Sequence, residues 1–284
     1  MGKVYFGTWH GRKAAFKHIS LNTANKILIR RNVEDTAKTL EEFTTQEKLE
    51  HENILKVRFC FREQSWGENK TVIVMDRCLG NLHSLPDQDH FQISALLKQI
   101  GKALSHIAQN GYSHGDVKPE NILITKDGHK WKAFVADFGL VGAAGGTPIF
   151  MPPEGLEKRT IEKSDVYSLG ILILFFCFDT ELATRLLYYP SNPSDLEESK
   201  LVDTCPLFKL VLSMIDVSPE NRISLEFFDK NLEIIPSKFT TKTITEHFLA
   251  ENGAILDFSM DLTNTTDMEL FVNLDIRKDD MKKG

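Results

Sequence analysis

The chain has 284 residues, 42% of them hydrophobic and 26% charged, which suits one two-lobed globular domain or two small ones and excludes a disordered or fibrous polymer. Its formal net charge of −6 excludes a general nucleic-acid surface, because displacing counterions from phosphates needs clustered Lys and Arg. Cys60, Cys78, Cys177 and Cys205 lie far apart, with no CxxC pair and no histidine at zinc-ligand spacing, so they read as reduced thiols of a cytoplasmic or nuclear protein.

Taken in chain order, the opening stretch MGKVYFGTWHGRK has no apolar core of signal-peptide length. From Val4 to Ile19, the β-favouring runs VYFGTW and KAAFKHI flank His10-Gly11 and predict a hairpin. Residues 35–50 predict a helix with a partial apolar stripe of Leu40, Phe43 and Leu49. The runs ILKVRFCF and TVIVMDRC, on either side of the polar SWGENK, predict two further strands. Residues 1–80 therefore read as a small sheet with one helix. The segment FQISALLKQIGKALSHIAQ places Ile93, Leu96, Leu97, Ile100, Leu104 and Ile107 at helical spacing, with Gly111 as the C-cap. Helical patterns continue to residue 232. Within them Leu169 to Phe178 is the most apolar stretch; it is shorter than the roughly 20 residues a bilayer span needs and predicts a buried helix, so no membrane partner is expected. Residues 233–284 form a Thr-, Asp- and Asn-rich extension. Its alternating runs, Leu256 to Leu262 and Leu270 to Ile276, predict a β-hairpin.

The central signal is HGDVKPENILI (His114 to Ile124), followed by VADFGL (Val135 to Leu140) and GTPIFMPPE (Gly146 to Glu154). A linked motif set in this order is far more specific than any one tripeptide. On these motifs the chain resembles the eukaryotic protein-kinase family, Ser/Thr type, from about Gly2 to about Phe228. The resemblance implies an α+β, two-lobed fold: a small β-rich N-lobe over 1–80, incomplete at its start, and a larger, mostly helical C-lobe over 81–232. It also implies ATP and Mg2+ as cofactors, and ATP and a protein substrate as partners. Transfer of the γ-phosphoryl group needs metals and cations held around a triphosphate and a group that orients the attacking hydroxyl. By resemblance Asp116 accepts the hydroxyl proton, Lys118 contacts the γ-phosphate, and Asn121 and Asp137 hold magnesium. Lys17 matches the strand lysine that pairs with the α- and β-phosphates, and Glu42 its helix partner, with Glu41 a rival by register. Met75 falls at the gatekeeper beside the adenine pocket, just before the linker DRCLG. Asp165 in SDVYSLG matches an aspartate that fastens the catalytic-loop backbone, and Glu154 with Arg222 an ion pair that anchors the activation segment.

Several positions depart from the family pattern. Of the glycine-rich loop only Gly2-Lys3-Val4 matches, its last glycine and the valine above the adenine. The spacing from Lys17 to the helix glutamate implies an insertion around ILIRRNVED. Gly115 stands where many kinases carry an arginine that grips an activation-loop phosphate, and Thr147 is the only hydroxyl between Asp137 and Glu154. A pseudokinase or nucleotide-binding scaffold module is thus the alternative to an active enzyme. The histidines other than His114 read as surface or packing residues, Asn264 as a turn rather than a glycosylation site, and Asp279 and Asp280 as part of a solvated face.

Overall fold

At the first hairpin, His10 and Gly11 both take positive φ (47° and 76°), the turn whose twist matches the flanking strands and which glycine allows without strain. In the computed structural model this turn joins β1 (Lys3–Trp9) to β2 (Arg12–Leu21). The structure describes residues 3–21, 40–65, 68–86, 92–138, 148–157, 162–178 and 205–235. The chain divides into two units, Met1–Thr245 and Glu246–Gly284. The second unit, with its expected hairpin, Asn264, Asp279 and Asp280, lies outside the described residues, as do Gly2, Thr147 and the 27–35 insertion.

The N-lobe is a four-stranded antiparallel sheet in the order β1-β2-β4-β3, completed by β3 (Val57–Ser65) and β4 (Glu68–Asp76). Its register sets Val4 opposite Lys17 and Lys17 opposite Ile73; Phe6, Ala15 and Met75 form the next row. Because side chains alternate between the two faces of a strand, both rows share the face that carries Lys17. On the opposite face Trp9 stacks on Phe59 and Phe61, above Val72 and Val74, which are fully buried.

A helix over residues 40–48, α1, follows β2 in the sequence. Its buried side keeps only Leu49 of the predicted apolar stripe. Leu40 is 43% exposed, whereas Glu42, Thr45 and Gln46 are buried together with Leu49. The reason is what this side faces: Glu42 meets the Lys17 ammonium, and the Gln46 amide donates to the Leu55 carbonyl at 2.7 Å. Buried polar groups with such partners satisfy the same spacing that leucines would.

The C-lobe is built around α2 (Ile93–Gln109) and α3 (Glu162–Cys177). The six apolar residues expected on α2 are all buried, and Asn110 and Gly111 close the helix. In α3, Val166, Leu169, Ile171, Leu172, Ile173 and Leu174 are fully buried, as befits a helix apolar around its circumference. The hairpin of β6 (Ile122–Asp127) and β7 (Lys130–Val135) packs on α2, with the short β5 (Gly80–Asn81) beside β6. Two further helices, α4 (Pro206–Met214) and α5 (Leu225–Lys230), pack on α3 and α2. Among the described residues no helix is long and apolar enough to cross a membrane.

Close approach of α2 and α5 depends on Gly101: a Cβ there would lie 2.2 Å from the ring of Phe228, which is fully buried. Gly101→Ala gains helix propensity of roughly 1 kcal/mol. It also forces overpacking that costs typically about 1–3 kcal/mol, and more where the ring cannot move. A lowered midpoint in urea unfolding, at unchanged slope, is the expected result; an unchanged or raised midpoint would show that the ring yields freely.

Candidate active site

The segment Ser113 to Lys118 is not held by sheet or helix, so its backbone groups need other partners. Asp165 of α3 supplies them. Its carboxylate, 1% exposed, accepts the N–H of His114 at 2.6 Å and of Gly115 at 2.8 Å, and the Ser113 hydroxyl at 3.1 Å. Burial pushes the Asp165 carboxyl up, and the three donors oppose that push. Gly115 has φ of +80°, a conformation that strains any residue with a Cβ. Glycine at this position is therefore suited to the turn as well as being a departure from the family's arginine.

From this anchored loop the site residues follow in a chain of contacts. Asp116 accepts from the Lys118 ammonium at 2.8 Å and from the Asn121 amide at 2.9 Å, and the same amide donates to the Asp116 carbonyl at 2.8 Å. The Asn121 carbonyl accepts the N–H of Ala136 at 2.9 Å. The Ala136 carbonyl in turn lies 3.0 Å from Nε2 of the buried His114. Asp137 comes next, at φ +67°, a left-handed conformation uncommon outside glycine that costs on the order of 1–3 kcal/mol and that clusters at functional sites.

Lys17 on β2 closes the chain across the cleft. Its ammonium contacts Asp137 Oδ1 and Glu42 Oε1, both at 2.8 Å. Burial works against charge on Lys17, but the two carboxylates outweigh it and its pKa is raised. For Glu42 burial outweighs Lys17 and its carboxyl is raised. The two directions favour different proton placements. Two 2.8 Å contacts from one nitrogen to two carboxylates support the charged lysine, because a cation facing two anions is favoured over a neutral amine. Between the register rivals the geometry distinguishes Glu42, which is buried, from Glu41, which is exposed.

Val4 and Met75 lie on the sheet face that carries Lys17, Val4 half exposed and Met75 partly buried. In the linker after Met75, Asp76 is clamped bidentately by Arg58 at 2.7 Å, and the Arg77 guanidinium lies 4.7 Å above the Phe6 ring. Burial pushes the Cys78 thiol up to about 11, so it stays protonated near neutrality. No motif pointed to Arg58, Arg77 or Phe6. Alternation along β1 and β2 was the only available signal for Phe6, since it places that ring in the row of Ala15.

The second buried ion pair joins Glu154 to Arg222. All five guanidinium N–H groups have acceptors: both Glu154 oxygens at 2.6 and 2.8 Å, and the carbonyls of Asp216, Lys163 and Val217. The ring of Tyr167 lies 4.9 Å from the guanidinium carbon, and the Lys163 ammonium donates to the Arg222 carbonyl. Ser164 donates to Glu154 at 3.1 Å. Although burial works the other way, these donors hold the Glu154 carboxyl below its ordinary value.

A cleft between a small sheet and a helical lobe, with a lysine on one wall and an Asp-Lys-Asn loop opposite an Asp-Phe-Gly aspartate, defines the class of protein phosphotransferases. The chain belongs to the protein kinase family: the protein kinase domain model matches residues 1–231. It is 31% identical over 201 residues to calcium-dependent protein kinase 6 of Plasmodium berghei, covering 66% of this chain and 13% of that protein. It is 26% identical over 245 residues to human serine/threonine-protein kinase ULK1, covering 75% and 22%, and 27% identical over 237 residues to CBL-interacting protein kinase 4 of Oryza sativa subsp. japonica, covering 72% and 49%. The chain thus spans less than half the length of each of these relatives.

Removing one partner of the second ion pair strands a buried charge. Arg222→Ala is expected to lower unfolding free energy by about 3–5 kcal/mol, and Arg222→Lys to recover little, since an ammonium cannot reproduce the planar fork. Chemical denaturation of the three proteins side by side measures both effects.

Proposed function

We propose that this protein is a Ser/Thr protein kinase that transfers the γ-phosphoryl group of ATP to serine or threonine hydroxyls of a protein substrate. The observation that carries the reading is the continuous set of contacts from Glu42 through Lys17 to Asp137, and from the backbone beside Asp137 through Asn121 to Asp116 and Lys118. It leaves a base, two cations and two oxygen-bearing side chains assembled about one cleft. Nothing in this arrangement favours the pseudokinase alternative, whose support was the partial glycine motif.

The donor set fits magnesium. Asn121 turns its amide nitrogen to Asp116, so its side-chain oxygen is the atom offered to a cation, and the Asp137 carboxylate, 47% exposed, is a second hard oxygen ligand. Held by these two side chains, magnesium would supply neutralisation of the negative charge on the phosphate oxygens. Lys17, oriented by Glu42, holds the α- and β-phosphates. Lys118, 11% exposed and 2.8 Å from Asp116, is the cation that would meet the negative charge gathering on the transferred phosphoryl group. Asp116 orients the attacking hydroxyl and takes its proton. Its own position is fixed by the Asn121 and Lys118 contacts.

Gly115 bears on regulation. With no arginine there, and with Asp165 already ordering the backbone, the catalytic loop does not need an activation-loop phosphate to organise it. Activity is accordingly expected to survive phosphatase treatment, and its loss on removing a phosphate from Thr147 would refute this.

Asp116→Asn and Lys17→Met test the catalytic roles. Each is expected to reduce phosphate incorporation into a generic protein substrate by at least ~10²-fold, the lower end of a general-base contribution. Asp116→Asn should retain the rise in melting temperature that ATP and magnesium give the wild type by mass action. Unchanged transfer rates in both variants would sink the assignment.

A further inference from the structure

Residues 49–55 leave α1 and dock on the C-lobe before the chain enters β3. The docking is specific: the Asn53 amide donates to Gln99 Oε1 at 3.0 Å and to the Ala133 carbonyl at 2.9 Å, the Asn53 carbonyl accepts from Val135 N–H at 2.8 Å, and Leu55 N–H donates to the Val135 carbonyl at 2.9 Å. Through Gln46 and Leu55 the same loop supports the helix that carries Glu42. At its start His51 stacks on His106 of α2, with ring centroids 5.2 Å apart and planes 29° from parallel. Nδ1 of His51 accepts the Asn53 N–H at 3.0 Å, so the proton of the neutral ring resides on Nε2.

We propose that the His51–His106 stack is an acid-sensitive joint: with His51 neutral it fastens the Glu42-bearing helix to the C-lobe, and protonation of His51 releases it. An imidazolium carries N–H on both nitrogens, so protonated His51 can no longer accept from Asn53, the residue on which the docking depends. It would also set a cation against the facing imidazole. The charged and titratable groups around His51 are His106 and Lys102 on α2, Asp229 on α5 and Glu52 on its own loop. Burial, then His106 and Lys102, hold the His51 pKa below its ordinary 6.5 against the opposing pull of Glu52 and Asp229. A folded-state pKa below the unfolded one means that, as pH falls, the unfolded chain takes the proton first. Stability from this joint is therefore complete above about pH 6.5 and is lost progressively below it.

The joint stands apart from the kinase reading; the consequence that acid withdraws Glu42 from Lys17 rests on that reading. His51 and His106 are thus positioning residues, acting through Glu42 rather than on substrate.

The test uses the full chain. His106→Phe keeps a ring in the stack without a titrating group, and His51→Asn keeps a side-chain acceptor for the N–H two residues on. Melting temperature is measured from pH 7.5 to 5.5. The wild type is expected to lose more than either variant over that range, by roughly 2 °C or more, and the double variant to flatten the profile no further than one single variant does. Equal pH slopes in wild type and both variants overturn the proposal. Should a variant not fold, an NMR titration of His51 in the wild type decides: a midpoint below 6.5 supports the joint, and one at or above 6.5 overturns it. Phosphate transfer measured at pH 7.5 and 6.0 then reads the positioning effect, which predicts a smaller acid loss of activity in His106→Phe than in the wild type. Absence of transfer at every pH in all proteins counts against the kinase reading alone, because melting and titration still judge the joint.

Discussion

One buried carboxylate organises this molecule. Asp165 sits within α3, among side chains with no access to water, and a charge in that setting is tolerable only when hydrogen-bond donors surround it. The donors it finds are the main-chain N–H groups of His114 and Gly115 and the hydroxyl of Ser113, which belong to a stretch with no regular structure of its own. The buried helix thereby dictates the path of the loop, and the loop's next residues, Asp116, Lys118 and Asn121, inherit their positions from it. Arg222 works in the same way elsewhere in the C-lobe, where five satisfied donors tie Glu154 to the segments around Asp216 and Lys163. In both places a desolvated charge contributes geometric definition rather than net stability.

The C-lobe interior and the cleft rely on different contacts. The C-lobe closes on apolar faces of α2 and α3, with Gly101 and Gly170 permitting close helix contacts. Across the cleft, ionic and hydrogen-bonded contacts are added to the apolar packing of Leu49 and Ile54: Lys17 to Asp137, and Asn53 to Gln99, Ala133 and Val135. Such contacts have narrow angular preferences and respond to charge, so they make the alignment of the cleft sensitive to protonation, which apolar packing alone is not. The left-handed backbone of Asp137 belongs to the same economy of position, a local strain held by Lys17 on one side and the Asn121 carbonyl on the other.

Much of this was legible along the chain because the relevant signals are local. The His10-Gly11 turn, the period of α2 and the apolar run of α3 each depend on neighbours within a few residues, and HGDVKPENILI with VADFGL places loop chemistry beside a strand pair. Legibility failed where a side faced charge instead of oil. The apolar residues of 35–50 suggested a stripe through Leu40, Phe43 and Leu49, yet of these only Leu49 is buried, beside Glu42, Thr45 and Gln46. Hydrophobic periodicity cannot report a face whose partners are an ammonium and a carbonyl. Nor could spacing alone choose between Glu41 and Glu42, which point about 100° apart on a helix whose rotation was not known.

What the sequence by itself determined, then, is the inventory and order of chemical groups and the short-range structures that carry them: the lysine strand, the Asp-Lys-Asn loop, the aspartate after β7, and the helices behind them. Tertiary structure alone decided which carboxylate meets Lys17, that Asp137 and Asp116 are linked through the backbone of Ala136 and Asn121, and that two histidines 55 positions apart in the chain (106 − 51) stack face to face. The physical reason is range. Turn and helix preferences act over a few residues, whereas a hydrogen bond or ion pair between distant segments exists only after the apolar core has brought them together, and its identity depends on rotations of about 100° and distances within about 3 Å that no local pattern encodes.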